Sequence, residues 1–179
     1  MIGVGLNVGN LPVRQVYVGS TPVTAVYVGA EKIWPTREVV QITLGTGFQA
    51  RDQFRAALSA RGLDYRTVAE IPFDIELVGT GSVQYMFLDC SSLTSVPDMD
   101  TSQVTSMRAM FSSCSSLTYV PEMDTSQVTN MLYMFLSCSA LTDGNVRLIG
   151  RHPNADTTGM IIGSGLTREP FYDTAGNPI

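Results

Sequence analysis

The chain has few charged residues. Only 15% of its 179 residues are Asp, Glu, Lys or Arg, Lys32 is the sole lysine, and the formal net charge is -5. A typical soluble chain carries about 25% charged residues. Binding to a nucleic-acid backbone requires a basic patch that neutralises phosphates, so this composition argues against it. Serine and threonine, 34 residues together, supply the missing polarity and predict a surface rich in hydroxyls.

Histidine and cysteine are also scarce. The sequence has one histidine, His152, and three cysteines, too few for a usual zinc site and an odd number for a disulfide framework. No apolar run approaches the roughly 20 residues that cross a bilayer. The opening MIGVGLNVGN lacks the basic and continuous apolar regions of a signal peptide. We therefore expect a structural protein without metal, cofactor or membrane anchor.

The first 35 residues contain a repeat of period ten. LPVRQVYVG at residues 11–19 is followed by TPVTAVYVG at 21–29 and by a broken third unit, AEKIWP. Alternating valine and tyrosine indicates short strands. So small a β-segment is marginal alone and predicts an assembly interface, although packing against residues 36–80 is the alternative. The proposed interface residues are Val16, Tyr17, Val18, Val26, Tyr27, Val28 and Trp34.

Residues 36–81 change pattern. The pattern predicts a strand from Val39 to Leu44, and apolar spacing predicts a helix from Gln49 to Arg61. Gly62 comes next, at the position where left-handed geometry ends many helices. We expect this strand–helix region to cap the repeats that begin near residue 82.

A second repeat has period 24. Residues 98–121 and 122–145 are identical at 15 of 24 positions, which indicates tandem duplication, and partial copies precede them at 83–97 and, more divergently, at 54–72. A single unit cannot bury its own apolar stripe, so copies are expected to stack with identical residues in ladders. The predicted core ladders are Phe87, Phe111 and Phe135; Cys90, Cys114 and Cys138; and Leu93, Leu117 and Leu141.

Each copy reads as a short helix followed by a short strand. Asp100 and Asp124 are placed to cap the helix, the apolar residues after Val104 recur at three and four, and Pro121 ends the strand. The predicted fold class is α+β, with a small N-terminal β-segment followed by a short leucine-rich-repeat-type solenoid of helix-plus-strand coils. Its parts are residues 1–35, the cap region 36–81, the solenoid 82–145 and a closing segment 146–179.

Three features invite a chemical interpretation. The stacked cysteines could bind a soft metal or form a disulfide, but buried thiols that pack as small hydrophobes are favoured. Asp98, Asp100 and Asp124 could bind calcium, yet no known calcium-loop pattern is present and turn formation is favoured. His152 lacks a nucleophile and an orienting carboxylate at a usable spacing, so a loop histidine is favoured.

The repeat pattern MF-x-x-C-S-x-L-T with V-P-x-M-D-T-S-x-V-T-x-M, covering residues 86–142, resembles the BspA-like leucine-rich-repeat family. That resemblance implies a solenoid used for adhesion or protein binding, without catalysis. The opening V-Y-V-G-x-x-P-V-x-x-V-Y-V-G and the ending NVRLIGRHPN with GLTREPFYDTAGNPI are similar to segments of minor tail and other virion proteins of tailed phages. The resemblance implies a location in the phage particle.

We therefore expect a non-enzymatic virion protein, a minor tail protein that docks by its N-terminal β-segment and displays the repeats to a host-surface protein or glycan. The expected partners are other phage structural proteins and further copies of the chain, with no nucleic acid and no membrane. The alternative is a capsid decoration or internal scaffold protein that binds only phage proteins. A hydrolase of envelope polymers is disfavoured. Residues that vary between copies give the candidate recognition surface: Arg108, Tyr119, Leu132 and Tyr133.

Overall fold

A computed structural model of the chain describes residues 38–179 and, before them, only the backbone of four short strands. The chain divides into two compact units, Met1–Glu38 and Val39–Ile179. In the first unit, β1 (Tyr17–Val18) pairs antiparallel with β2 (Thr21–Pro22), and β3 (Val26–Val28) pairs antiparallel with β4 (Glu31–Trp34). Each period-ten unit therefore pairs with the segment immediately after it.

The second unit opens with a strand, a helix and a second strand. Strand β5 (Val39–Thr43) pairs in parallel with β6 (Asp74–Val78) over five residues. The connection contains α1 (Gln49–Ser59), which buries Ala50, Phe54 and Leu58 at helical spacing. Gly62 has φ 69 after the helix, where the absence of a Cβ removes the steric cost of left-handed geometry. The predicted strand and helix are confirmed.

Four six-residue turn segments come next, residues 84–89, 108–113, 132–137 and 158–163. Alternate backbone N–H groups of one segment donate to carbonyls of the next. Phe87 donates to Met110 at 2.9 Å, Phe111 to Met134 at 3.0 Å, and Phe135 to Met160 at 2.8 Å. The remaining N–H groups close turns within the segment, as when Met110 donates to Met107 at 3.1 Å. The 24-residue period is therefore one step of a stack.

The prediction of helix-plus-strand coils, and with it the α+β solenoid, is wrong. Within residues 38–179, α1 is the sole α-helix, and the repeats consist of turns and strands of two or three residues. The second and sixth residues of each turn segment have positive φ, which an α-helix of L-residues excludes. Turns closed by hydrogen bonds between residues three apart also place apolar residues at intervals of three and four on one side of the chain. The same intervals had suggested helices.

Short parallel strands join the copies elsewhere around the stack. Strand β7 (Gly81–Ser82) pairs with β8 (Val104–Ser106), and β9 (Met123–Asp124), β10 (Leu148–Ile149) and β11 (Phe171–Tyr172) form a three-stranded sheet with β10 in the middle. The closing segment, residues 146–179, contributes both β10 and β11. It then folds back, since Tyr172 bridges Pro178 antiparallel.

One hydrophobic core runs from the first strand of this unit to the last. The ring of Phe54 on α1 meets Phe87 edge-on with centroids 4.9 Å apart. Phe87 stacks on Phe111 at 5.3 Å, and Phe111 on Phe135 at 5.5 Å, with nearly parallel planes. All nine predicted ladder residues are fully buried in this core. The ladders hold the turn segments rigidly in register, which fixes the side chains on the outer surface.

Candidate binding surface

The second position of each turn segment places side chains in a row across the stack. Tyr85, Ala109, Tyr133 and Gly159 occupy this position, with φ between 48 and 65. The small Ala109 leaves room for the neighbouring Arg108, whose Nε donates to the Tyr85 hydroxyl at 2.7 Å. The Arg108 guanidinium carbon lies 6.0 Å from the Tyr85 ring centroid and 5.9 Å from that of Tyr133. The three side chains thus form a ring–guanidinium–ring row.

The row continues toward α1 at one end and the fourth turn segment at the other. The exposed Phe48, just before α1, lies 4.9 Å from Tyr85 between ring centroids. At the other end the Tyr133 ring lies over Gly159, where a Cβ would be 2.4 Å from it. A glycine at this position leaves room for the ring and avoids the left-handed strain that Tyr85, Ala109 and Tyr133 bear in the other segments. We call Phe48, Tyr85, Arg108 and Tyr133 the aromatic row.

The structure brings together two of the four predicted recognition residues. Arg108 and Tyr133 belong to the aromatic row, and Leu132 occupies in the third turn segment the position that Arg108 has in the second. Tyr119 is half exposed but lies elsewhere, in a parallel bridge with Ser95. The sequence reasoning missed Tyr85, although it lies two 24-residue periods before Tyr133, and Phe48, for which the repeat gives no signal.

Arginines throughout residues 38–179 pair with aromatic rings. All eight have a guanidinium carbon within 6.0 Å of a ring centroid, namely Arg51, Arg55, Arg61, Arg66, Arg108, Arg147, Arg151 and Arg168. Contacts of this kind occur roughly once per 70–80 residues in proteins. Each arginine of residues 38–179 therefore lies against a ring, and Arg108 lies between the rings of two different copies.

The cysteine ladder is buried and protonated. Cys90, Cys114 and Cys138 are free thiols, and the Sγ atoms of Cys114 and Cys138 donate to the carbonyls of Phe87 and Phe111 at 3.0 and 2.9 Å. Burial raises the pKa of Cys90 and of Cys138 to about 12 and raises that of Cys114 further. Because thiolate is the reactive and metal-binding form, these thiols act as core residues.

Serine and threonine hydroxyls also link adjacent copies of the stack. Ser115 Oγ donates to the Ser91 carbonyl at 3.3 Å and Ser139 Oγ to that of Ser115 at 3.4 Å. Thr118 Oγ1 donates in the same way to Thr94 at 3.2 Å. Many hydroxyls that the composition assigned to the surface thus bridge adjacent copies.

The aspartates at the start of each copy form turns rather than helix caps. Asp100 accepts the Ser102 N–H at 3.0 Å, and Asp124 accepts the Ser126 N–H at 2.8 Å. The bond from Ser102 lowers the pKa of Asp100. Asp156 lies at a different position, beside Asn130 and just before the fourth turn segment, and hydrogen bonds from the side chain and backbone of Thr158 lower its pKa. The expectation that Asp100 and Asp124 cap helices is wrong because no helix comes after them.

The other predicted or disfavoured sites are a metal site, a membrane span, His152 and the assembly interface. Among residues 38–179, no group of three His, Cys, Asp or Glu side chains is arranged to hold a metal ion, and no helix is long and apolar enough to span a bilayer. His152 accepts the Asn154 N–H within its own loop at 3.2 Å. Of the seven predicted assembly-interface residues, Val16 lies outside the described residues. For the other six residues the structure describes only the pairing of their strands.

The sequence reasoning also missed the fourth copy. Residues 156–167 were assigned to a closing segment, yet they extend the stack, with Met160 accepting from Phe135 and Leu166 in the core. The sequence DTTGMIIGSGLT keeps a methionine and the final Leu-Thr of the repeat. It places Gly159 and Gly163 at the two left-handed positions, a signal that could have revealed the copy.

Comparisons with known proteins agree with the position of the stack. No curated protein and no solved structure matches the chain at a significant level. Residues 81–148 match the family model described as "Mycoplasma protein of unknown function, DUF285", a family related to the BspA-like leucine-rich repeats.

Proposed function

We propose that this chain is a non-enzymatic structural protein of a phage particle, a minor tail protein that attaches by its first 35 residues and displays the stacked repeats for adhesion or protein binding. Its partners are other virion proteins, further copies of itself, and a protein or glycan on the host surface. The attachment and the location in the virion rest on the resemblance of both ends of the sequence to phage virion proteins.

The aromatic row is the observation that carries the binding role. Tyrosine and arginine are the side chains most enriched among residues that dominate binding energy at protein interfaces. Here they lie on a stack whose hydrogen bonds and buried rings hold them in place, so little conformational entropy is lost on binding. The thiols and many hydroxyls of the same repeats are committed to bonds between copies, which supports a display role over a chemical one.

The display role is tested with a double variant, Arg108→Ala with Tyr133→Ala. We expect binding of the purified protein to host cells to fall about tenfold or more, because two of the four side chains of the row, a guanidinium and a ring, are lost. Tyr119→Ala is the matched control, since Tyr119 is exposed but lies away from the row. Equal binding by the double variant and the wild type would contradict the role of the row.

The attachment role is tested separately. Tyr17→Ala with Tyr27→Ala should release the protein from particles while circular dichroism of the repeats stays unchanged. Full incorporation of this variant would rule out docking through the β-segment. An antibody to residues 86–142 that fails to label intact particles would favour the internal scaffold.

A further inference from the structure

The stack of repeats ends differently at its two ends. At the first turn segment, 84–89, helix α1 covers the end, and Arg55 Nη2 donates to the Leu88 carbonyl at 2.9 Å. At the fourth, 158–163, the N–H groups of Gly159, Ile161 and Gly163 occupy the donor positions. The corresponding N–H groups of the third segment belong to Tyr133, Phe135 and Ser137. They donate to the carbonyls of Thr158, Met160 and Ile162 at 3.2, 2.8 and 2.8 Å. Within residues 38–179, no group accepts a hydrogen bond from these three N–H groups.

The three N–H groups keep the geometry of a bonded segment. Gly159 and Gly163 have φ 65 and 67, against 58 and 60 for Tyr133 and Ser137 one copy earlier. The donors therefore face away from the third segment, as those of the third segment face the fourth. Ile162, between them, is 60% exposed. Aligned unpaired donors beside an exposed apolar side chain have the properties of an uncovered sheet edge.

The chemistry of this edge selects its occupant. Parallel N–H groups present positive partial charge and need a row of acceptors, which a backbone with alternate carbonyls on one side supplies. A second copy meeting the edge with its own fourth segment would set donors against donors. Head-to-tail addition of a second copy is blocked, because α1 and Arg55 already cover the carbonyl end of the first segment.

We propose that residues 159–163 form a docking edge for a backbone segment of another protein that presents alternate carbonyls on one side, as residues 132–137 do for the second turn segment. Alternate carbonyls of that segment accept from the N–H groups of Gly159, Ile161 and Gly163, and one of its apolar side chains covers Ile162. Main-chain bonds then supply affinity, as in other cases where a strand is added to an open edge. The inference stands apart from the aromatic row and from the phage assignment, since it rests on three backbone N–H groups and the exposed Ile162.

Amide hydrogen exchange of the full chain, measured by NMR, tests the edge. The probe is a synthetic peptide with the sequence of residues 122–145, which contains the carbonyl row that the second turn segment already uses. In the chain alone, the three N–H groups should exchange about a hundredfold faster than those of Tyr133, Phe135 and Ser137. Saturating peptide should slow them about tenfold, and Ile162→Lys should abolish this protection by placing a charge on the edge.

Val39→Lys is the control, because Val39 is similarly exposed, at 55%, but lies on β5; it should leave the protection unchanged. Absence of protection in the wild type, or equal protection in Ile162→Lys, would overturn the proposal. Slow exchange in the chain alone would do the same: if it depends on protein concentration, a second copy covers the edge, and if it does not, the chain covers the edge itself.

Discussion

The first layer of the second unit, residues 39–82, and the turn segments after it share one core but use different local structures. In the first layer an 11-residue helix carries Phe54 into the core. In the turn segments, the rings of Phe87, Phe111 and Phe135 continue the column that begins with Phe54. Here successive backbone N–H groups donate in turn to a carbonyl of the same segment and to a carbonyl of the next segment. The helix satisfies its own N–H groups and can end the stack, whereas a turn segment needs a neighbour.

The largest expected effect tests whether both regions unfold together. Phe54→Ala and Phe111→Ala each remove a fully buried ring and should each lower the free energy of unfolding by about 3–5 kcal/mol. Because the core is continuous, both should shift the same transition in urea, followed by circular dichroism and by amide exchange. Loss of α1 in Phe54→Ala while the amides of Phe111 and Phe135 remain protected would instead separate the regions.

Glycine substitutions compare the backbones of the two regions. A Cβ on Gly165 would lie 2.0 Å from the Leu141 carbonyl oxygen, so Gly165→Ala should cost about 3 kcal/mol. Gly62, after α1, and Gly163, in the fourth turn segment, have φ 69 and 67 with no close contact. Each change to alanine there should cost about 1–2 kcal/mol. Thermal denaturation gives the order, and an equal cost at all three sites would contradict it.

Arg55 joins the two regions. It donates to the Leu88 carbonyl and lies 3.7 Å above the Tyr65 ring. Lysine cannot make both contacts with a planar group, so Arg55→Lys should cost about 1–2 kcal/mol. The control is Arg51→Lys, which alters an ion pair with the exposed Asp52 and should cost less than about 1 kcal/mol. Urea denaturation measures both, and equal costs would mean that Arg55 does not cap the stack.

Replacing a residue with left-handed backbone geometry in a turn segment by glycine should slightly increase the free energy of unfolding. Ser137 is exposed and has φ 60, so Ser137→Gly should stabilise the protein by about 0.5 kcal/mol once the greater freedom of the unfolded chain is subtracted. Ser115→Gly, away from the left-handed positions, should destabilise because it also removes the bond to Ser91. A loss of stability at both sites would show that the strain has little energetic weight.

The smallest expected effect is on the stability of the protein at low pH. The pKa values of Asp100 and Asp156 are lowered by hydrogen bonds to their own turns, so the unfolded chain binds protons at a higher pH than the folded chain does. Their contribution is present above the ordinary carboxyl range and is lost as pH falls through the folded values. Asp100→Asn with Asp156→Asn should flatten the stability profile below about pH 4. An unchanged profile would contradict this linkage.

The sequence predicted what depends on identity along the chain. Two copies with 15 identical residues specify the 24-residue period and the residues that stack, because identical units bury identical side chains. The helix at Gln49–Ser59 was predictable since its apolar spacing continues over eleven residues. Tyr85 was also within reach, since it lies two 24-residue periods before Tyr133. The fourth copy was harder to find, because its turn segment begins 26 residues after the third one and breaks the 24-residue interval.

The conformation of each copy was decided by tertiary structure. Apolar residues three and four apart are compatible with a helix and with a series of three-residue turns, and the choice depends on where the intervening N–H groups find acceptors. In the first layer, α1 supplies its own acceptors. In the turn segments, the carbonyls of the next copy supply them, and the fourth segment has no next copy among the described residues. The low charge and the abundance of hydroxyls were evident from the composition. Only the tertiary structure showed that the arginines of residues 38–179 lie against aromatic rings and that hydroxyls join adjacent copies.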